Sequence, residues 1–329
     1  KLLKKDNMHL RNIFLHPFET IRNKFYAELF RSNYYKKLVL DNPKKALSLQ
    51  YRSAHHKNIN WDNPQTLDEK IMWLEAMTDT SLWSQLADKY EVRKYIEEKG
   101  YKDILVDCYG VWNSIHEIDF AALPEKFVIK CTHDSGSTHI ITEKSKTNLD
   151  KICKDLESKL HPIGYTTCEP HYLSIKPRII AEELLEEKKL KDLSSSMVDY
   201  KVWCFNGVPD FIFLCYDRYK DKNGHLTASY DIYDAKTWTT KREYLDEAYR
   251  PNGDTCFPAP DNLDKMLEYA SNLSKDFPVV RVDFYNINGK IYFGEITFTS
   301  AGANCYYFSQ FGQKAMGETI DLTGVKRIR

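Results

Sequence analysis

A chain of 329 residues with 42% hydrophobic content can bury a substantial core, and its length predicts two or three subdomains. Its 47 basic residues balance 47 acidic ones, so zero net charge excludes a chain-wide field for nucleic acid, and no apolar run is long enough to span a bilayer. The eight cysteines form no CxxC pair, which argues against a zinc site or disulfide framework and predicts reduced, mostly buried thiols in a cytoplasmic protein; the opening KLLKKDNMHL has no signal-peptide core.

Charge is nonetheless uneven, with twelve Lys and Arg against four Asp and Glu through Arg52. Residues 1–60 read as a basic helical extension. Within 11–52, Ile, Phe, Leu and Tyr recur at helical spacing among the basic residues and break at Pro43. An accessory element packed on the main domain with a solvated basic face is expected, with peripheral contact to an anionic membrane as the alternative. Residues 61–125 form an N-terminal accessory or substrate region. Thr66 and Glu69 have capping-box spacing ahead of KIMWLEAM. Leu82, Leu86, Tyr90, Val92 and Tyr95 trace one apolar stripe down to Gly100, predicting a helix whose Asp88, Lys89 and Arg93 are expected to be solvated, with a role facing substrate as the alternative. A short β-like run, YKDILVDCYGVWNS, follows.

From 126 to 188 the pattern is strand, loop, strand, helix, strand. Lys130 ends an apolar strand, and the small polar loop Thr132–Thr138, with Ser135, Gly136 and Ser137, has backbone amides suited to folding over a phosphate chain. It is not a Walker A loop, which would place Gly-Lys-Ser/Thr at the head of a helix. His133 and His139 have no metal-ligand context. A helix is predicted over 149–160. The buried strand PRIIAEELLEE then leaves the core at Glu182-Glu183-Leu184-Leu185, where main-chain donors and acceptors beside an apolar slot suit a nucleobase.

Residues 189–329 read as a mainly antiparallel sheet. Asn206-Gly207 marks a hairpin, Asp199 and Lys201 share a strand face, and Arg218 ends the next strand before a polar turn, KDKNG. A helix capped near Asp261 leads into FPVVRVDFYNINGKIYFGEITF, two alternating strands around Asn288-Gly289. A two-residue turn sets Asp283 opposite Gly294 and turns Glu295 away. A three-residue loop, Ile287 to Gly289, sets Arg281 opposite Glu295 and Asp283 opposite Phe293, gathering Arg281, Asp283, Glu295 and Thr297 on one face. The second register is expected, because two carboxylates with an arginine are what a Mg²⁺-nucleotide site requires. A small-residue loop from Thr299 and a short helix close the chain.

Taken in order, these pieces resemble the ATP-grasp fold, an α+β architecture of two subdomains clasping ATP. The segments FVIKCTH, KPRIIAEELLE, DYKVWCFNG, FPVVRVDFYN and KIYFGEITF closely resemble the TupA-like ATP-grasp family of bacterial surface-polysaccharide gene clusters, over Asn63 to about Phe298. The resemblance implies that Lys130 contacts the α and β phosphates while Ser135, Gly136 and Ser137 close over them. Glu182, Glu183, Leu184 and Leu185 would meet adenine, Asp199 the ribose, and Lys201 and Arg218 the phosphates. Asp283 and Glu295 would hold Mg²⁺, with Thr297 as a neutral oxygen ligand where many relatives have Asn, and Arg281 would steady the transferred phosphoryl group.

The resemblance further implies a ligase that turns a carboxylate into an acyl phosphate, which an amine then opens. Its implied substrates are a small amine or amino acid and a uronic acid of a surface or capsular glycan. The same site would serve a glycan kinase, or an ATP-binding component of a polysaccharide assembly complex without turnover. Asp283→Asn and Glu295→Gln are expected to lower ATP turnover by orders of magnitude and leave the fold intact.

Overall fold

The computed structural model describes residues 17–186, 190, 192–220, 226–251, 253 and 256–328. The opening KLLKKDNMHL, the first residues of the basic element, part of the charged turn after Glu186 and all of the KDKNG turn but Lys220 lie outside the described residues.

Three helices lead: α1 Pro17–Arg31, α2 Asn33–Asp41 and α3 Pro43–His55. Ser32 and Asn42 cap the second and third by accepting from Tyr35 N and Lys45 N, and Pro43 sits at the helix start, where its missing N–H has no intrahelical role. Tyr35, Ala46, Leu47 and Tyr51 are buried in the main core, whereas α1 exposes Phe18, Ile21 and Phe25. Helix α4, Leu67–Met77, carries the expected capping box between Thr66 and Glu69.

The helix predicted from Ser81 to Gly100 is instead two, α5 Ser81–Ala87 and α6 Glu91–Glu98. Asp88 breaks it: its buried carboxylate accepts from Tyr90 N at 2.8 Å and Glu91 N at 3.2 Å, an alternative to continued helical bonding. Arg178 Nη2 pins that carboxylate at 2.9 Å. Leu82 and Tyr90 are therefore exposed, while Trp83, Leu86, Val92 and Ile96 are buried.

The smaller antiparallel sheet joins β1 Cys108–Trp112, β2 Phe127–Cys131, β3 His139–Ile141 and β4 Ile179–Glu182, in the order β1-β4-β2-β3. Ile152 and Leu156 of α7, Leu149–Lys159, pack on Phe127, Ile129, Ile179 and Ala181 in a core of its own. A short helix, α8 Pro170–Leu173, precedes β4.

The larger sheet joins β5 Asp199–Phe205, β6 Val208–Lys220, β7 Leu226–Asp234, β8 Val279–Ile287 and β9 Lys290–Thr297, in the order β7-β6-β5-β8-β9. Helix α9, Leu263–Ser274, begins just past Asn262 with no side-chain cap, instead of at Asp261, and buries Met266, Ala270 and Leu273 against β5 and β8. On the opposite face, Trp203 and Phe211 lie under Phe308, and the same strands run on into Lys201 and Asp199. Helix α10, Gln310–Thr319, ends the chain's regular structure. All eight cysteines are free, and Cys256 is exposed where a buried thiol was expected.

The β8–β9 hairpin corrects the expected register. Asn288 and Gly289 are both left-handed, with φ of 54° and 88°, and form a two-residue turn with Ile287 opposite Lys290. Left alone, that turn would carry Glu295 to the wrong face. A β-bulge at Gly294, between the pairs Phe284–Phe293 and Asp283–Glu295, restores it. Asp283 thus faces Glu295 and Arg281 faces Thr297, and all four polar groups still share one face. Glycine suits the bulge because a Cβ there would stand 3.0 Å from the Asp283 carbonyl oxygen.

Candidate active site

The bulge lays one row of charge across three strands: Lys201 of β5 pairs with Asp283, and Asp283 with Glu295. Arg281 holds Asp283 at both oxygens, Nε donating to Oδ1 at 2.7 Å and Nη2 to Oδ2 at 2.8 Å. Nη2 also donates to Glu295 Oε1 at 2.9 Å and Thr297 Oγ1 at 3.1 Å, while Nη1 donates to Ser300 Oγ. Lys201 Nζ donates to Asp283 Oδ2 and lies 3.8 Å from Asp199 Oδ2, to which Arg218 also pairs. Seven residues named from the sequence therefore form one network: Asp199, Lys201, Arg218, Arg281, Asp283, Glu295 and Thr297. Burial alone would raise the Glu295 carboxyl, but Lys201, Arg281 and Lys89 outweigh it and hold it down to about 2. Burial likewise works against the Arg281 cation, yet Asp283 and then Glu295 raise its affinity for the proton above the ordinary value.

The smaller sheet supplies the facing groups. Lys130 Nζ lies 2.6 Å from Glu182 Oε2, and Arg93 Nη1 lies 3.4 Å from Oε1. Past Glu182 the backbone N–H of Glu183 donates to Asp107 O at 2.9 Å, and Leu184 and Leu185 run on half-buried. Within the predicted phosphate loop, Ser135 and Gly136 are exposed. Ser137 is buried and braces the loop, its Oγ accepting from Cys131 N at 2.7 Å and donating to Asp134 Oδ1. His133 Nε2 contacts His161 O at 2.9 Å and His139 Nε2 contacts Asp155 Oδ2 at 2.8 Å, both away from the charged row.

Where the sheets meet, a cavity of about 50 Å³ is lined by Lys89, Arg93, Lys130 and Glu182 on one side and Tyr285, Phe293 and Gly294 on the other, with Leu105 and Val106 between. Three cations against one carboxylate leave an excess of positive charge suited to a polyanion. At about 50 Å³ the cavity is sized for water and not for a nucleotide.

Lys89 and Arg93, expected from the sequence to be solvated with a substrate-facing role as the alternative, both line this cavity. Lys89 Nζ donates to Asp134 O, and its backbone N–H donates to Thr132 O at 3.0 Å, tying the α5–α6 break to the Thr132–Thr138 loop. Burial lowers the Lys89 ammonium, and Glu295 works against that shift. The available signal was Asp88, a helix-capping residue type in mid-pattern, whose break turns Lys89 out of the helical register.

The donor set fits Mg²⁺ arriving with a nucleotide. Asp283 and Glu295 offer hard oxygens directly opposite each other, and Mg²⁺ is usually held by one or two carboxylates plus substrate phosphates. Among the described residues no group of three or more His, Cys, Asp or Glu forms a fuller cage.

A family model described as TupA-like ATPgrasp matches residues 69–321. The chain belongs to that family. Its fold is thus the ATP-grasp α+β fold, and the ATP-grasp ligase class that the sequence motifs imply agrees with TupA-like membership. No curated protein matches the chain significantly. Among solved structures it is similar to D-alanine–D-alanine ligase from Helicobacter pylori, at 15% identity over 76% of this chain and 62% of that one, with a TM-score of 0.38. It is also similar to D-alanine–D-alanine ligase from Bacillus anthracis (13%, 74% and 70%, 0.44) and to L-amino acid ligase from Bacillus licheniformis (12%, 82% and 58%, 0.45). The TupA-like chain spans less than two thirds of the length of the first and third of these.

Proposed function

We propose that this TupA-like protein is an ATP-dependent carboxylate–amine ligase that works through an acyl phosphate. It joins an amino acid or amine to a uronic acid of a bacterial surface or capsular polysaccharide, or of its precursor. The observation that carries this proposal is the Lys201–Asp283–Glu295 row, with Arg281 locked beside it, on the sheet whose Tyr285 lines one cavity with Lys89 and Lys130.

In this scheme Lys89 and Lys130 bind the triphosphate, which exchanges Glu182 for phosphate as the partner of Lys130. The backbone from Glu182 to Leu185 borders adenine and Asp199 the ribose. Lys201 and Arg218 take phosphoryl oxygens. Asp283 and Glu295, with the Thr297 hydroxyl, would hold Mg²⁺, whose charge neutralises phosphate oxygens when it is bound. Arg281 is fixed in advance by two bonds to Asp283, so its guanidinium stabilises charge spreading over the transferred phosphoryl group without reorganising. Apposition of the two sheets keeps water from the acyl phosphate.

The test is mass spectrometry of reactions containing ATP, Mg²⁺, a panel of amino acids and uronic-acid glycans. ADP with an amide product supports the ligase. ADP with a stable phosphate ester would identify a kinase, and ATP bound without consumption a non-catalytic component; either result refutes the proposal. Among the described residues no helix is long and apolar enough to cross a membrane. The exposed Phe18, Ile21 and Phe25 on α1 support peripheral contact with an anionic membrane, to be tested by cosedimentation with anionic vesicles before and after Phe18→Ser and Phe25→Ser.

A further inference from the structure

Two neighbouring hydroxyls after β9 reach in different directions. Ser300 Oγ receives Arg281 Nη1, while Thr299 Oγ1 donates to Glu169 Oε1 at 2.5 Å. Both residues are buried, and Ala301, Gly302 and Ala303 follow with φ of 51°, 65° and 56°, a tight left-handed bend beside Glu169. Thr167 Oγ1 donates to the other carboxylate oxygen at 2.5 Å. Glu169 thus has two hydroxyl donors, and among the described residues no cation pairs with it.

Behind this group lies a second, dry set. His171 Nε2 is 3.5 Å from Thr299 Oγ1, and His171 Nδ1 is 3.6 Å from Glu75 Oε1. His171 is 1% and Glu75 4% exposed, and neither Nδ1 nor either Glu75 oxygen has a hydrogen-bond partner. Tyr172 connects this region electrically with the charged row: burial raises its phenol, Glu169 and Glu295 add to the shift, and Arg281 opposes it. A carboxylate held by hydroxyls alone, one of them on the residue next to Ser300, which positions Arg281, lacks the positive partner that its setting calls for.

We propose that Glu169 binds the amine substrate and takes a proton from its nitrogen for attack on the acyl phosphate at Arg281. This rests on the ligase proposal and deepens it. The nitrogen arrives as an ammonium, drawn to the carboxylate. One proton passes to Glu169, and the freed lone pair forms the N–C bond. The carbon–oxygen bond to phosphate breaks, and phosphate leaves with the bonding pair and the second nitrogen proton, giving an amide, hydrogen phosphate and neutral Glu169. Burial raises the Glu169 carboxyl, with the Thr167 and Thr299 hydroxyls working against it, and a raised carboxyl is a stronger base. Thr167 and Thr299 are positioning residues.

The test compares two nucleophiles on wild type and Glu169→Gln, using the carboxylate from the uronic-acid panel that wild type activates. Hydroxylamine is already uncharged near neutral pH and traps acyl phosphates as hydroxamates without a base. Expected is a loss of about 100-fold or more in amide formation by the Gln variant, with hydroxamate formation and ATP affinity within about threefold of wild type. Amide formation within about threefold of wild type overturns the proposal, as does an equal fall in both products by a variant that still binds ATP. Should Glu169→Gln fail to fold, Thr299→Val carries the test: about a tenfold loss of amide against unchanged hydroxamate is expected, and equal effects overturn it. Absence of hydroxamate from wild type with every carboxylate overturns the ligase proposal itself, and this one with it.

Discussion

Asp283→Asn and Glu295→Gln should both abolish most turnover, yet differ sharply in what they do to the fold. The side chain of Asp283 is 5% exposed and serves Arg281 and Lys201, themselves only 11% and 13% exposed. An amide in place of this carboxylate would turn N–H donors toward donors and leave two cations with reduced compensation. Breaking a buried pair in this way costs about 3–5 kcal/mol, which corresponds to a fall in Tm of roughly 4–7 °C for a chain of this size. Glu295 is 40% exposed. Its carboxyl is held low by three cations jointly, solvent screens each of those interactions, and losing the pair should cost about 0–1 kcal/mol, a Tm change of a few degrees at most. Each variant should lose about 100-fold or more in ATP-dependent product formation, since each removes a hard oxygen from the proposed phosphoryl-transfer site. Thermal melts and product assays in one buffer decide the matter. Equal Tm shifts would refute the burial reasoning, and unchanged turnover in both variants would refute the site. The expectation from sequence, that both leave the fold intact, is thus kept for Glu295 and withdrawn for Asp283.

Gly294→Val places a Cβ 3.0 Å from the Asp283 carbonyl oxygen and should cost about 1–3 kcal/mol while lowering turnover by more than tenfold as the bulge shifts; product formation at the wild-type rate would deny the bulge its role. Lys89→Met should weaken ATP binding about 10-fold or more, read by isothermal calorimetry, and an unchanged affinity would remove Lys89 from the phosphate site. Burial, with Glu169 adding to it, raises the Glu75 carboxyl well above its ordinary 4.5. The folded chain then keeps a proton that the unfolded chain loses, so this contribution to stability is full below pH 4.5 and is lost as pH rises toward the folded value. Glu75→Gln stays neutral throughout and should gain on wild type as pH rises above 4.5, by up to about 1.4 kcal/mol per unit until the folded carboxyl ionises. Melting curves with a constant difference across that range would refute it.

Much of the site was legible because strand chemistry repeats every two residues. Asp199 with Lys201, Arg281 with Asp283 and Glu295 with Thr297 are same-face pairs that any register must keep together. Which pairs face one another was not legible, because a single glycine decides it. Gly294 reads as an ordinary weak strand residue until its close approach to Asp283 is seen. Lys89 was read as a solvated helix residue for a similar reason: a continuous apolar stripe hid the break, and only the buried partnership of Asp88 with Arg178, 90 positions along the chain, shows why the helix stops there. Glu169 and His171 lie in a loop and a four-residue helix with no periodicity at all, so only tertiary packing against Thr299 brings them to notice.

The contact of Lys130 with Glu182 bears on how fast the proposed enzyme would cycle. The lysine is already neutralised by a carboxylate of its own chain, so under its proposed role an arriving phosphate would win only the difference between two similar anions. Nucleotide affinity would thereby be capped, and spent ADP would leave against an internal competitor waiting to take back its cation.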